Sequence, residues 1–293
     1  MGAEAFRRRA ALGALFGASI LLFSADAPAY CRTSTCGELG TGADCVPDDP
    51  FDCGIPLKWP TDCVSYTLQE GASNQVSLET AEAIFATAFE AWTTAACPGG
   101  GNPRIQIQYK GTVSCTNQEY NQLDEEGNSN IIIFRDDEWL HDGADSTLAL
   151  TTVTYNTMNG EIYDVDMEIN SAGNTITTGD NMIKFDLLSI ATHEVGHFLG
   201  LSHSNDAEAT MNPAYMTGST TLRDLADDDR AGICATYPPG APIPSTCDAT
   251  PRHGFSELCA ADLRSEGCCS VAPGSPGGSG REAVLAALAA AAI

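Results

Sequence analysis

Thr192-His-Glu-Val-Gly-His-Phe-Leu-Gly-Leu-Ser-His-Ser204 decides how the rest of this chain is read. Just upstream, Asp186 is placed to cap a helix that runs through Leu187-Leu188-Ser-Ile-Ala-Thr-His193 to about Leu199, where Gly200 is placed to stop it. On that helix His193 and His197 are one turn apart and project from the same face. Two imidazoles so spaced can share one Zn²⁺ at about 2.0–2.1 Å each. The helix cannot supply a third ligand from the same direction, but a sharp turn at Gly200 brings His203 back toward the ion. Glu194 stands beside the ligands as a base for a metal-held water. Three protein ligands leave one position open, the mark of a catalytic rather than a structural zinc site. The chain has only five histidines, and three of them fall in this one motif.

Outward from the motif, the periodicities alternate between strand and helix. Cys63-Val-Ser-Tyr-Thr-Leu68 alternates with period two. Ser77 then predicts an N-cap, with Thr80 at N3, for a helix whose apolar face is Ala81, Ile84, Phe85, Ala88, Phe89 and Trp92 and which ends before Pro98. Arg104-Ile-Gln-Ile-Gln-Tyr109, Ile131 to Phe134 and Leu148 to Tyr155 read as three more strands. Asn159-Gly160 is a hairpin-type turn into a strand from Ile162 to Ile169. A last helix is expected over Leu222 to Tyr237, closed by Pro238-Pro239. Strands interspersed with three helices imply an α+β domain over residues 57–240.

The flanks read differently. Arg7-Arg8-Arg9, the apolar run from Ala10 to Phe23 and Ala27-Pro28-Ala29 predict a secretory signal peptide over residues 1–29, cleaved before Tyr30. Residues 30–56 form a Cys-rich lead-in, and residues 241–293 a tail rich in Cys, Pro, Gly and Ser. The tail ends in the apolar run Val284 to Ile293, which is shorter than the roughly 20 residues a membrane helix needs. Membrane attachment through it is therefore not expected as it stands, and the plain reading is a disordered tail with a frayed helix. It also resembles a shortened form of the sorting tails of myxobacterial surface proteins, without their full helix and Arg cluster. Twelve cysteines, an even number in an exported chain, imply disulfides whose pairing the order of residues does not give.

Charge narrows the partners. Fourteen Lys and Arg against 39 Asp and Glu leave a net charge of −25. Nucleic acid and anionic membrane surfaces are disfavoured as partners, because binding them requires basic neutralisation. The acidity is read either as solubility outside the cell or as carboxylates available for Ca²⁺.

The central motif resembles the metzincin zinc signature H-E-x-x-H-x-x-G-x-x-H. Ser204 after the third His is the residue of the matrixin branch. Ala209-Thr-Met-Asn-Pro-Ala-Tyr215 is similar to the matrixin Met-turn, as Leu225-Ala-Asp-Asp-Asp-Arg-Ala-Gly-Ile233 is to the start of its final helix. Lys58-Trp59, Tyr66-Thr-Leu68 and Phe89-Glu-Ala-Trp92 match the beginning of that catalytic domain, so the resemblance covers about residues 57–238.

It implies a bacterial, secreted zinc endopeptidase, expected as a monomer acting on protein or peptide, built on a twisted five-stranded mixed sheet with three helices and a zinc cleft. It further implies Met211 beneath the zinc, Pro213 and Tyr215 lining a specificity pocket, and Leu148, Ala149 and Leu150 as the edge that pairs with extended substrate. Asp164, Asp166 and Glu168 stand where the family holds calcium, and alternation would point all three to one face. A solvated strand face is the competing reading. Cys53-Gly-Ile-Pro56 resembles the family's inhibitory cysteine switch but lacks its flanking Arg and Asp, and a disulfide, with Cys63 as one partner, competes for Cys53. A non-catalytic binding or adhesion protein on the same scaffold is the alternative function, against which the intact Glu194 argues.

Overall fold

The computed structural model describes residues 30–35, 54–123, 126–260 and 284–291. The signal-peptide reading of residues 1–29 and the switch-like Cys53 lie outside them. In chain order the elements are β1 (Cys63–Gln69), α1 (Leu78–Thr93), β2 (Gln106–Val113), β3 (Ile131–Phe134), β4 (Thr147–Tyr155), β5 (Ile162–Ile169), β6 (Ile176–Thr177), β7 (Phe185–Asp186), α2 (Leu187–Phe198), α3 (Asp227–Thr236) and β8 (Val284–Ala291).

The expected five-stranded mixed sheet is present in the order β2-β1-β3-β5-β4. β1 runs parallel to β2 and β3, and β3 parallel to β5. β5 returns antiparallel to β4 through the Asn159-Gly160 turn, with Gly160 at φ +74°. β3 is buried along its whole length, as its continuous Ile-Ile-Ile-Phe run requires of a central strand. Helices α1 and α2 bring their apolar stripes together over the sheet. Tyr66 of β1 stacks on Phe89 of α1 at 4.3 Å between ring centroids, and Phe89 meets Phe198 of α2 edge-on at 5.1 Å.

Three expectations are corrected. First, the apolar C-terminal run is not a frayed helix: β8 adds antiparallel to β4 and makes a sixth strand, pairing Ala149 with Ala290 and Leu150 with Ala289. An edge strand with unpaired main-chain groups is the template that permits this. Second, the last helix is split into a 3₁₀ turn at Thr221–Arg223 and α3. The break follows from Asp229, whose carboxylate accepts the Ala226 N–H at 2.8 Å and starts a new helix there. Third, Cys63 bonds Cys247, not Cys53, while Cys97 bonds Cys234 and Cys115 bonds Cys259. The segment after Cys247 lies along β1, where Ser65 Oγ donates to the Ala249 carbonyl at 2.7 Å. Residues up to 260 are thus laid against the sheet; Ser114 N donates to the Glu257 carbonyl at 3.0 Å.

The N-terminal lead-in has a positional role. Thr33 N donates to the Gly200 carbonyl at 3.1 Å, and Ser202 N donates to the Cys31 carbonyl at 2.9 Å. Residues 31–33 therefore flank the loop that follows α2.

Candidate metal centre

Helix α2 begins as its sequence predicts. Asp186 accepts the Ser189 N–H at 2.9 Å, and Arg223 pairs with the same carboxylate at 2.7 Å. Two indoles bond the helix to the scaffold: Trp92 Nε1 donates to the Thr192 carbonyl at 2.8 Å, and Trp59 Nε1 to the Phe198 carbonyl at 2.9 Å. At the other end Gly200 adopts φ +88°, and a Cβ there would lie 2.7 Å from the Leu57 carbonyl oxygen. Only glycine fits both the angle and the space.

That turn brings His203 back to His193 and His197. All three are buried, and each offers a ring nitrogen within 4.8 Å of the other two. The Nε2 atoms of His193 and His197 stand 3.2 Å apart. Two nitrogens bound tetrahedrally to zinc at about 2.0–2.1 Å would be roughly 3.3 Å apart, so the pair is nearly at ligand spacing. The rings are oriented from behind. His193 Nδ1 lies 2.7 Å from the Thr210 carbonyl, and His197 Nδ1 lies 3.0 Å from the Leu201 carbonyl. A carbonyl accepts only from N–H, which places the proton on Nδ1 and the lone pair on Nε2. Burial, and then the charge of His203, pushes His193 down to about 3; burial and both neighbours lower His197 well below its usual value. Three buried, neutral, converging imidazoles fit Zn²⁺, which His193, His197 and His203 would hold.

Met211 packs under α2, where a Cβ on Gly196 would collide with its sulfur. The glycine of the motif is therefore an accommodation for this methionine. The turn carrying Met211 is held by α3: Asp229 accepts from Met211 N at 3.0 Å and from Thr210 N at 2.7 Å. Ser204 N donates to the Met211 carbonyl at 2.8 Å, and Ser204 Oγ to Asp228 at 2.6 Å. Asp228 and Asp229 therefore brace both the loop that carries His203 and the carbonyl that faces His193. In sequence the two stand only within a stretch that resembles the start of the matrixin final helix, three Asp in its first turn, and nothing local points to the contacts they make.

Glu194 is fully buried beside the triad, and Thr151 Oγ1 of β4 donates to its Oε2 at 2.5 Å. Of the residues expected around the substrate, Leu148, Ala149 and Leu150 lie on β4 as foreseen, with β8 paired along them. Pro213 is half-buried. Tyr215 is buried, and its hydroxyl donates to the Ser219 carbonyl at 2.7 Å while accepting the Asp186 N–H at 2.9 Å. It thus ties the loop after the Met-turn to the start of α2.

The β5 carboxylates are not a solvated face: Asp164 and Asp166 are 2% exposed and Glu168 1%. Glu168 is held by Arg135 at 2.5 Å and by His141 at 2.6 Å. Asp166 accepts the Ile131 and Glu119 N–H groups at 2.9 Å each. Asp164 Oδ1 is buried without a hydrogen-bond partner. Among the described residues the three do not converge within 4.8 Å as the imidazoles do.

Comparison with known proteins agrees with this geometry. The matrixin family model matches residues 58–238. Stromelysin-3 of Xenopus laevis is 38% identical over 142 residues, which cover 45% of this chain and 27% of that protein. Metalloendoproteinase 1-MMP of Arabidopsis thaliana is 44% identical over 61 residues, covering 21% of this chain and 16% of that protein. Interstitial collagenase B of Mus musculus is 46% identical over 71 residues, covering 24% of this chain and 15% of that protein. The chain thus spans less than a third of the length of these relatives. With its family model spanning β1 to β5, the helices and the three histidines, the chain belongs to the matrixin family.

Proposed function

We propose that this protein is a secreted zinc endopeptidase that hydrolyses peptide bonds in extended polypeptide. The observation that carries the reading is the convergence of His193, His197 and His203 with the carboxylate of Glu194 buried beside them. Bound by the three imidazoles, zinc would supply Lewis-acid polarisation of the scissile carbonyl and make a water acidic enough to attack. Glu194 takes the proton of the attacking water and then delivers it to the leaving amine nitrogen. Extended substrate adds to β4 beside Leu148, Ala149 and Leu150, reading backbone more than sequence. The antiparallel seating of β8 along that same edge supports the capacity of β4 to pair with an extended strand, and substrate would pair there in the place β8 takes in this structure. Pro213 and Tyr215 bound the pocket for the residue after the scissile bond, for which a hydrophobic side chain is expected.

Secretion rests on the N-terminal segment, and one contact fits maturation there. Tyr30 N lies 2.8 Å from Asp228 Oδ1, so cleavage before Tyr30 would leave an ammonium facing a carboxylate.

The test is Glu194→Gln, measured with zinc occupancy fixed by metal analysis. Cleavage of casein or of a peptide library should fall by about 10²–10⁴-fold. Undiminished cleavage at full occupancy would return the protein to the inert-scaffold alternative.

A further inference from the structure

We infer that Thr151 is a positioning residue for the general base. The inference rests on the peptidase reading above and deepens it. Thr151 lies in the middle of β4, is fully buried, and spends its hydroxyl on Glu194 Oε2 at 2.5 Å across 43 positions of sequence. By the two-residue period of the strand, Ala149, Thr151 and Val153 share a face, and Ala149 and Val153 belong to the apolar core. A hydroxyl among alkyl groups costs stability unless it is bonded, and it has taken the carboxylate as acceptor.

The consequence for Glu194 is geometric. The terminal torsion of a glutamate is broad and roughly two-fold, so a buried carboxylate with nothing to fix it can rotate about its last bond. A short charge-assisted bond to Oε2 fixes the plane of the group. Because the two oxygens are rigidly joined, Oε1 is fixed with it, and Oε1 is the oxygen that would receive a proton from water. Strand β4 would then do two things at once: its main chain aligns the substrate and its Thr151 side chain aligns the base. Register between peptide bond and base is set by one element, which matters because a misplacement of about 1 Å can cost on the order of 100-fold in rate.

The experiment uses the zinc-loaded full chain. Thr151→Val keeps the shape and removes the hydroxyl; Thr151→Ala is measured beside it, so that a folding defect in either does not decide the matter. We expect kcat to fall by roughly 10–100-fold with KM within about two-fold of wild type. Thr151→Ser should restore most of the rate. Thr152→Val, the next residue and on the opposite face, should leave kcat unchanged. In a Glu194→Gln background Thr151→Val should cost nothing further. Zinc affinity, read by competition with a chromogenic chelator, should match wild type in all Thr151 variants. An unchanged kcat in Thr151→Val, an equal loss in Thr152→Val, the same loss in the Glu194→Gln background, or weakened zinc binding would each overturn the inference. A wild-type protein that binds zinc and cleaves nothing would instead overturn the peptidase reading, and this one with it.

Discussion

Two clusters of polar side chains are almost wholly withdrawn from water, the three histidines around α2 and the three carboxylates of β5, and they are made tolerable in opposite ways. The imidazoles shed their charge. Burial and mutual repulsion hold His193 and His197 neutral, and the carbonyls of Thr210 and Leu201 accept hydrogen bonds from their Nδ1–H groups. A neutral lone-pair donor is what a metal requires, so the cost of burial is small and leads toward function. Carboxylates offer no such outlet while ionised. Glu168 is met by Arg135 and His141, and Asp166 by two main-chain N–H groups. Burial, then the charges of Asp166 and Glu119, drives Asp164 well above the usual carboxylate range. The same depth of burial thus prepares one cluster for a ligand and obliges the other to find counter-charge or protons.

The largest expected effect lies on the histidine side. His197→Ala should release zinc and reduce peptidase activity to background while leaving the fold intact, as checked by metal analysis and circular dichroism. A variant that keeps both zinc and activity would remove the contrast altogether. Next, Arg135→Ala should strand Glu168, whose carboxylate is 1% exposed, and lower stability by about 3 kcal/mol in urea unfolding. A loss under about 0.5 kcal/mol would mean that His141 alone suffices.

The smallest effect concerns Asp164. Its folded-state pKa lies above its unfolded one, so the folded chain binds the proton more tightly. Stability is therefore full below the ordinary carboxylate range, near 4, and declines as pH rises through the elevated value. Asp164→Asn should accordingly gain roughly 2–4 °C in Tm near pH 8 and little at pH 4. Calcium is the other way to satisfy the row: if Asp164 and Asp166 contribute to a Ca²⁺ site, millimolar CaCl₂ should raise the wild-type Tm and leave Asp164→Asn unmoved. No rise in either protein would dispose of the calcium role.

How much of this was legible depends on how far apart the partners lie in the chain. Asp186 as cap, Gly200 as stop and His193/His197 on one helical face involve neighbours within about a turn, where backbone geometry alone dictates who meets whom. Ser77 capping α1 and the alternation of β1 belong to the same class. The split of the last helix is hidden in the sequence because Leu222 continues an apolar pattern, whereas Asp229 caps from within by accepting the Ala226 N–H. Tyr215 reads as a pocket residue, yet its hydroxyl also ties the loop after the Met-turn to the start of α2.

From its order of residues alone, the chain specified the cluster of His193, His197 and His203 with Glu194 beside it, the α+β architecture and the sheet's five principal strands. These follow from short-range periodicity and from the chemistry of residue types. Folding in three dimensions decided which cysteines are joined, that Val284–Ala291 lies along β4, that Asp228 holds Ser204 and Asp229 the turn of Met211, and that Thr151 meets Glu194. Each of these pairs residues that no local rule brings together; the contact exists only because the sheet and helices, packed around a shared core, leave those two groups facing one another.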